Sequence, residues 1–171
     1  MGPRAAWRLE SLGFSNVFWY RAGKADWGAA GLPVAGRAAH VPTLGHHARR
    51  DVPTCRPDEP VSAVSGRVRA AGWNTCFVVT ADRVVLGRLH DTELDGRGDV
   101  PARDAMRNGP STWRPNVTVD EMLDRMREEG LTTAPVTDSE GRLVGLALIE
   151  DLEAAHAVGD RGTSRGGEGA G

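Results

Sequence analysis

The strongest constraint on this chain is a tandem repeat. A shift of 58 residues (109 − 51) lays Gly109–Leu152 over Asp51–Leu94 without a gap, and the apolar positions mostly agree. Identical pairs include Thr54/Thr112, Arg56/Arg114, Pro57/Pro115, Arg67/Arg125, Gly72/Gly130, Gly87/Gly145 and Leu94/Leu152. Because a unit of this length is too small to bury a core alone, the repeat predicts two similar units packed against each other.

Composition limits the protein class further. The 171 residues are 40% apolar and 26% charged, which is enough for one or two small cores. No apolar run approaches the ~18 residues that a membrane-spanning helix needs, and Met1–Trp7 lacks the apolar region of a signal peptide. We therefore expect a cytoplasmic protein that does not enter the membrane.

Charge and cysteine usage exclude other classes. The 21 basic and 23 acidic residues form no long block of one sign, so binding to nucleic acid is not expected. Cys55 and Cys76 occur only in the first unit and lack Cys-x-x-Cys spacing, which indicates reduced core thiols. The adjacent His46 and His47 do not make a metal site without further ligands, so no metal is expected.

The first 36 residues predict a helix-strand-helix fragment. Apolar residues at helical spacing from Pro3 predict a helix that Gly13 ends. The aromatic stretch Asn16–Tyr20 predicts a buried strand, and Lys24–Ala30 predicts one or two helical turns. This fragment is too short for an independent core.

The same fragment resembles the C-terminal end of a rhodanese domain over about residues 3–36. The resemblance is carried by Leu12-Gly13-Phe14, Asn16-Val17, Gly23, Trp27 and Ala30–Val34. In that family a sulfur-carrying cysteine precedes a helix like the first one here, but no cysteine precedes residue 55. The resemblance therefore implies a truncated, non-catalytic remnant, and we expect that this chain is not an enzyme.

The chain divides into five segments. We predict the rhodanese-like fragment over 1–36, a linker over 37–50, the two units over 51–96 and 97–156, and a disordered glycine-rich tail over 157–171. In each unit the patterns predict a short extended piece, an amphipathic helix closed by Gly72 or Gly130, a hairpin and a final helix. The fold class is α+β, with two β-α-β-β-α units.

This order of elements resembles the CBS domain, and two copies resemble the CBS pair, or Bateman module. The second unit is the closer match, through Ala102–Met106 as its lead-in, Leu131–Val136 as its second strand and Gly141–Gly145 as turn and third strand. The resemblance covers about Asp51–Ala155. It implies a pseudo-twofold pair with a ligand cleft between the copies.

The family motif places a carboxylate at the start of the last helix. The pattern is glycine, two apolar residues, Thr or Ser, two variable residues and Asp, whose carboxylate accepts hydrogen bonds from ribose hydroxyls. Asp151 keeps this residue in the second unit, and Glu93 keeps its charge in the first. The hydroxyl is replaced by Leu148 and by His90, which can still donate to a phosphate. Asp151 could instead only complement the helix dipole, and Glu93 and His90 could be surface residues.

Further contacts are implied at strand ends. Candidate adenine-pocket residues are Thr54, Thr75, Thr112, Thr133 and Pro135. Threonine is also an ordinary strand residue, so a purely structural role stays open. Trp73 or Trp113 could stack on a base, or belong to the core.

The resemblance implies a regulatory module that binds an adenosine-containing ligand. AMP, ADP, ATP and S-adenosylmethionine are the candidate ligands, and a homodimer formed by the CBS pair is expected. Two alternatives remain: a structural dimerisation module without ligand, and a truncated part of a rhodanese-CBS sulfurtransferase fusion. The two copies depart from the motif differently, since Asp151 is kept beside a lost hydroxyl at Leu148 and the first unit has Glu93 and His90, which favours one asymmetric adenosyl site over two equal ones.

Overall fold

The N-terminal segment is described in part. The computed structural model describes residues 2–18, 23, 27, 32, 41–96 and 99–163. Helix α1 (Gly2–Ser11) ends shortly before Gly13, whose φ is +93°, as the sequence predicts. Residues 16–18 form no strand, and Phe18 is 91% exposed. The prediction of a buried strand was therefore wrong for these residues. A strand needs a neighbouring strand to satisfy its backbone groups. Of the predicted helix at 24–30, only Trp27 is described.

The two units contain the predicted elements. In chain order they are α2 (Leu44–His47), β1 (Thr54–Cys55), α3 (Val61–Ala70), β2 (Cys76–Val79), β3 (Val85–Leu89), α4 (Asp91–Gly96), α5 (Ala102–Ala105), β4 (Arg107–Asn108), α6 (Val119–Glu129), β5 (Thr133–Thr137), β6 (Leu143–Leu148) and α7 (Ile149–Thr163). The Thr118 hydroxyl caps α6 by accepting the Glu121 N–H, and left-handed Gly130 ends it. The order β-α-β-β-α is confirmed in the first unit. In the second unit the position of the first strand is occupied by a single parallel β-bridge between Trp113 and Val136.

The first unit forms a four-stranded sheet in the order β1-β2-β3-β4. Strand β1 is parallel to β2, and the other neighbours are antiparallel. All of β2 is buried, because α3 covers one face of the sheet and the second unit covers the other. The second unit pairs β5 with β6 in the same way.

The two units exchange their lead-in segments. The segment before the first unit, α2 and Arg49, packs on the second unit, where Arg49 and Leu146 exchange backbone hydrogen bonds of 2.9 and 3.0 Å. The lead-in of the second unit, α5 and β4, packs on the first unit, where β4 pairs with β3. Each core is therefore completed by residues from the other half of the chain.

The exchange corrects the predicted linker. Residues 44–47 are helical, Leu44 is fully buried and Ala48 is buried beside it in the core of the second unit. A linker over 37–50 therefore does not describe residues 44–50. The burial of two apolar side chains and the pairing of Arg49 hold this segment in place.

The C-terminal end also differs from the prediction. Helix α7 continues to Thr163, beyond the predicted start of a disordered tail at 157. The first turns of the helix are anchored by buried Leu152, and the helix packs on α6 through Leu152 and Ala155. Once anchored, a helix elongates one residue at a time at little cost, even into a polar segment.

Candidate functional site

The main cavity lies between the two units. Its volume is about 400 Å³, within the usual range for small-molecule sites. Its walls are Arg49, Asp51, Ala71, Gly72, Trp73, Asn74, Thr75, Thr132, Thr133, Leu146, Leu148 and Glu150. The loop before β2 and the loop before β5 therefore face one space, with the start of α7 at its edge.

Asp151 is held by an arginine from the exchanged lead-in. Arg49 donates from Nε to Oδ2 at 2.6 Å and from Nη2 to Oδ1 at 2.8 Å. These hydrogen bonds lower the pKa of Asp151, against the opposing effect of burial. Asp151 itself is not part of the cavity wall, but Arg49 and Glu150 are. Its side chain keeps 29% of its exposure, so lone pairs remain accessible.

Glu93 makes the equivalent contacts in the first unit. Its Oε2 accepts the His90 backbone N–H at 2.9 Å, and its Oε1 accepts from the Thr92 hydroxyl and from Arg107. Burial would raise the pKa of Glu93, but these donors hold it below its usual value. Arg107 and Glu93 correspond to Arg49 and Asp151 at the 58-residue shift. The Glu93 carboxylate is thus used for capping α4 and for pairing with the lead-in.

His90 lies in a positively charged environment. Its pKa is lowered by burial and then by Arg88 and Arg107, so the imidazole is neutral at pH 7. The structure places His90 beside Glu93, as the motif predicts. It does not line the main cavity.

Arg88 connects the two units from a buried position. Only 8% of the residue is exposed. Its Nε donates to the Thr75 hydroxyl at 2.8 Å, its Nη1 donates to the Thr133 hydroxyl at 3.0 Å, and its guanidinium lies 5.3 Å from the centre of the Phe77 ring. Two predicted site threonines, one from each unit, are therefore joined by one side chain.

The other predicted residues lie elsewhere. Thr54 lines a separate cavity of about 270 Å³ with Arg56, Glu59 and Arg83. The Thr112 hydroxyl accepts from Thr137 at 3.0 Å, in the second unit. Pro135 is buried within β5 opposite Leu146. Of the predicted site residues, Thr75 and Thr133 line the main cavity, and Asp151 is joined to its wall through Arg49.

Sequence reasoning missed Arg49 and Arg88. The 58-residue comparison began at Asp51, and extending it backwards would have matched Arg49 with Arg107 and Leu44 with Ala102. Arg88 stands where the motif has an apolar residue and where the second unit has Leu146. Its departure from the motif was a signal, but its partners are known only from the fold.

The two cysteines lie in the core of the first unit. Cys55 and Cys76 are free and buried, and the pKa of Cys76 is raised by a hydrogen bond with Cys55 and by burial. Within the described ranges, no group of three or more His, Cys, Asp or Glu side chains could hold a metal ion. Across the same ranges, no helix is long and apolar enough to span a membrane.

Part of the chain matches a family model, and one relative is similar over a longer stretch. Residues 102–156 match the family model of the CBS domain. An uncharacterized protein of Methanopyrus kandleri is 26% identical over 118 residues, which cover 64% of this chain and 60% of that relative's length. The chain thus spans less than two thirds of that relative.

Solved structures are similar over the repeat region. The cytosolic domain of the Mg²⁺ channel MgtE in complex with ATP aligns with a TM-score of 0.61 at 22% identity, over 67% of this chain and 48% of that chain. The CBS domain pair of protein MJ0100, in complex with 5′-methylthioadenosine and S-adenosyl-L-methionine, aligns with a TM-score of 0.58 at 14% identity, over 69% and 98%. A CBS-domain protein of Agrobacterium tumefaciens aligns at 24% identity with a TM-score of 0.56, over 72% and 98%.

The rhodanese-like resemblance of residues 3–36 stays a prediction, since the family match lies at 102–156. For the repeat region, in contrast, both the sequence comparison and the structure comparison support the resemblance to CBS domains. The second unit matches the CBS domain family, and the two units together have the fold of a CBS domain pair.

Proposed function

We propose that this chain is a regulatory module that binds an adenosine-containing ligand in the cavity between its two units. The observation that carries the proposal is the composition of that cavity. Trp73 and Thr75 from the first unit face Thr133 and Leu146 from the second, and Arg49 connects the cavity to Asp151.

The cavity has the parts that an adenosyl group requires. The indole ring of Trp73 offers a stacking surface for a base, and the Thr132 hydroxyl in the same wall can donate a hydrogen bond to a ring nitrogen. Each Asp151 oxygen accepts one hydrogen bond from Arg49 and keeps lone-pair capacity for the ribose hydroxyls. Two of the similar solved structures hold ATP or adenosyl compounds, which supports the same ligand class here.

The proposal is tested by calorimetry with AMP, ADP, ATP and S-adenosylmethionine on the full chain and on Asp151→Asn. We expect at least one ligand to bind, and the variant to bind it about 10- to 100-fold more weakly, because a hydrogen bond to a charged group contributes about 1.5–3 kcal/mol. Asp124→Asn is the matched control: Asp124 is exposed on α6 and should leave affinity unchanged.

Thermal unfolding with and without ligand gives an independent reading, since a ligand that binds only the native state must raise stability. Failure of all four ligands to bind or to stabilise at millimolar concentration would contradict the proposal. If light scattering then showed a dimer, the alternative of a structural dimerisation module would be favoured. The expected homodimer and the fusion with a sulfurtransferase remain predictions.

A further inference from the structure

We propose that Arg88 anchors a site for a phosphate-type oxyanion at the Thr133 side of the cleft, so that the module selects anionic adenosyl ligands. The inference rests on the proposed function, because Thr133 also lines the adenosyl cavity. The inference goes beyond the proposed function in two respects: it predicts that the preferred ligand is negatively charged, and it names Arg88 as the residue responsible for that preference. The second unit has Leu146 at the equivalent position and cannot supply this contact.

Arg88 is a buried cation without a counter-ion. In the chain as described, its hydrogen-bond partners are the hydroxyls of Thr75 and Thr133, and no carboxylate lies within 4.0 Å of its guanidinium. A guanidinium stays charged in proteins, and burying a charge without an opposite one costs several kcal/mol. The Phe77 ring offsets only part of this cost.

The neighbours of Arg88 increase the positive potential. Arg88 and Arg107 are direct cross-strand partners in β3 and β4, an arrangement in which like charges repel. His90 adds a neutral ring, and the nearby Glu93 already accepts three hydrogen bonds, from His90, Thr92 and Arg107 Nε, and forms an ion pair with Arg107. Two carboxylates, Asp51 and Glu150, also line the cavity, and both act electrostatically on Arg49.

Free donors remain for an anion. Arg88 uses Nε and Nη1 in its hydrogen bonds, and Nη2 has no partner in the part of the chain that the structure describes. No described polar side-chain atom is both sealed from solvent and unpaired, so Nη2 keeps access to solvent. The Thr133 hydroxyl accepts from Nη1, which leaves its own proton to donate into the cavity. Arg88 is not itself part of the wall of the main cavity, so an oxyanion would meet Nη2 beside Thr133, whose hydroxyl lines the cavity and offers the second donor.

The experiment compares AMP, adenosine, S-adenosylmethionine and inorganic phosphate by calorimetry on the full chain. We expect AMP to bind at least about tenfold more tightly than adenosine, and S-adenosylmethionine to bind no more tightly than adenosine. In Arg88→Leu, which installs the residue of the second unit, the AMP-to-adenosine ratio should fall towards one while adenosine binds as before. Arg127→Leu removes the same charge at the surface and should leave the ratio unchanged.

Additional variants separate binding from folding. Arg88→Lys should keep part of the preference for AMP, and Thr133→Val should reduce it even if Arg88→Leu does not fold. An unchanged ratio in Arg88→Leu or, where that variant is unfolded, in Thr133→Val would overturn the inference. So would equal binding of AMP and adenosine to the unaltered chain.

The outcomes also distinguish this inference from the proposed function. Adenosine binding without preference for AMP refutes the anion site alone. Binding of phosphate that depends on Arg88, with no adenosyl ligand bound, supports the anion site and refutes the adenosyl proposal. Competition between millimolar inorganic phosphate and AMP would identify free phosphate as an alternative source of the oxyanion.

Discussion

At the level of single residues, a close main-chain contact explains why Gly87 and Gly145 are both glycine. A Cβ on Gly145 would lie 2.5 Å from the carbonyl oxygen of Arg49, and one on Gly87 would lie 2.8 Å from that of Arg107. Real Cβ atoms do not approach so closely, so each glycine permits the exchanged lead-in to cross its strand. The identity of Gly87 and Gly145 in the repeat thus has a steric cause.

Gly145→Ala should destabilise the protein by about 1–3 kcal/mol, since an added methyl must displace backbone atoms in a packed core. Urea unfolding followed by circular dichroism measures the change. Gly66→Ala provides the control of opposite sign: Gly66 is exposed within α3 with open space around it, so alanine should stabilise by about 0.5–1 kcal/mol. Equal stability of Gly145→Ala and the unaltered protein would contradict the steric explanation.

At the scale of elements, the helices and hairpins were predictable and the exchanged lead-ins were not. Helix α6 has apolar residues at helical spacing and a capping threonine, and β6 lies beside a turn at Gly141, so local signals define these elements. Helix α2 has four residues and a single large apolar side chain, Leu44, which gives no periodicity. Its position on the other unit is a long-range contact that no local pattern encodes.

The same reasoning applies to the candidate site. Asp151, Thr75 and Thr133 were predictable because they follow a motif or a strand end. The partners of Arg49 and Arg88 depend on which segments cross between the units. Thr54 and Thr112 show the converse: they occupy equivalent positions in the repeat, yet lie away from the main cavity.

Leu44→Ala tests the contribution of α2. Because Leu44 is fully buried in the core of the second unit, we expect a loss of about 2–5 kcal/mol in the free energy of unfolding. Leu12→Ala is the control, since Leu12 is 60% exposed and should change stability by less than about 0.5 kcal/mol. A Leu44→Ala variant as stable as Leu12→Ala would mean that α2 does not belong to the core.

At the scale of the whole molecule, the two units are joined by more than their facing sheets. A third apolar cluster combines Val52, Phe77 and Val79 with Leu143 and Leu146. The hairpins also pair, since the Val85 N–H donates to the Gly141 carbonyl and the Leu143 N–H donates to the Arg83 carbonyl. Because each core is completed by the other half's lead-in, and a third cluster joins the two sheets, neither unit can complete its core alone.

The repeat region should therefore unfold in one cooperative step. In urea, far-ultraviolet circular dichroism and tryptophan fluorescence should give the same midpoint and the same dependence on denaturant. Trp73 reports on the first unit and Trp113 on the second, so single replacements of each by Phe assign the signal. Two separated transitions would show that one unit can persist after the other has unfolded.

The exchange of lead-ins has a consequence for a chain that carries only one of the two units. Such a half, for example residues 102–163, has a lead-in that packs on the sheet of another unit. Its own sheet in turn requires a lead-in from another unit. Two identical halves could satisfy each other by swapping these arms, and would rebuild a symmetric version of the present arrangement. When the two halves are joined in one chain, a substitution in one copy is no longer repeated in the other. That independence is visible where one copy has Arg88 and the other Leu146.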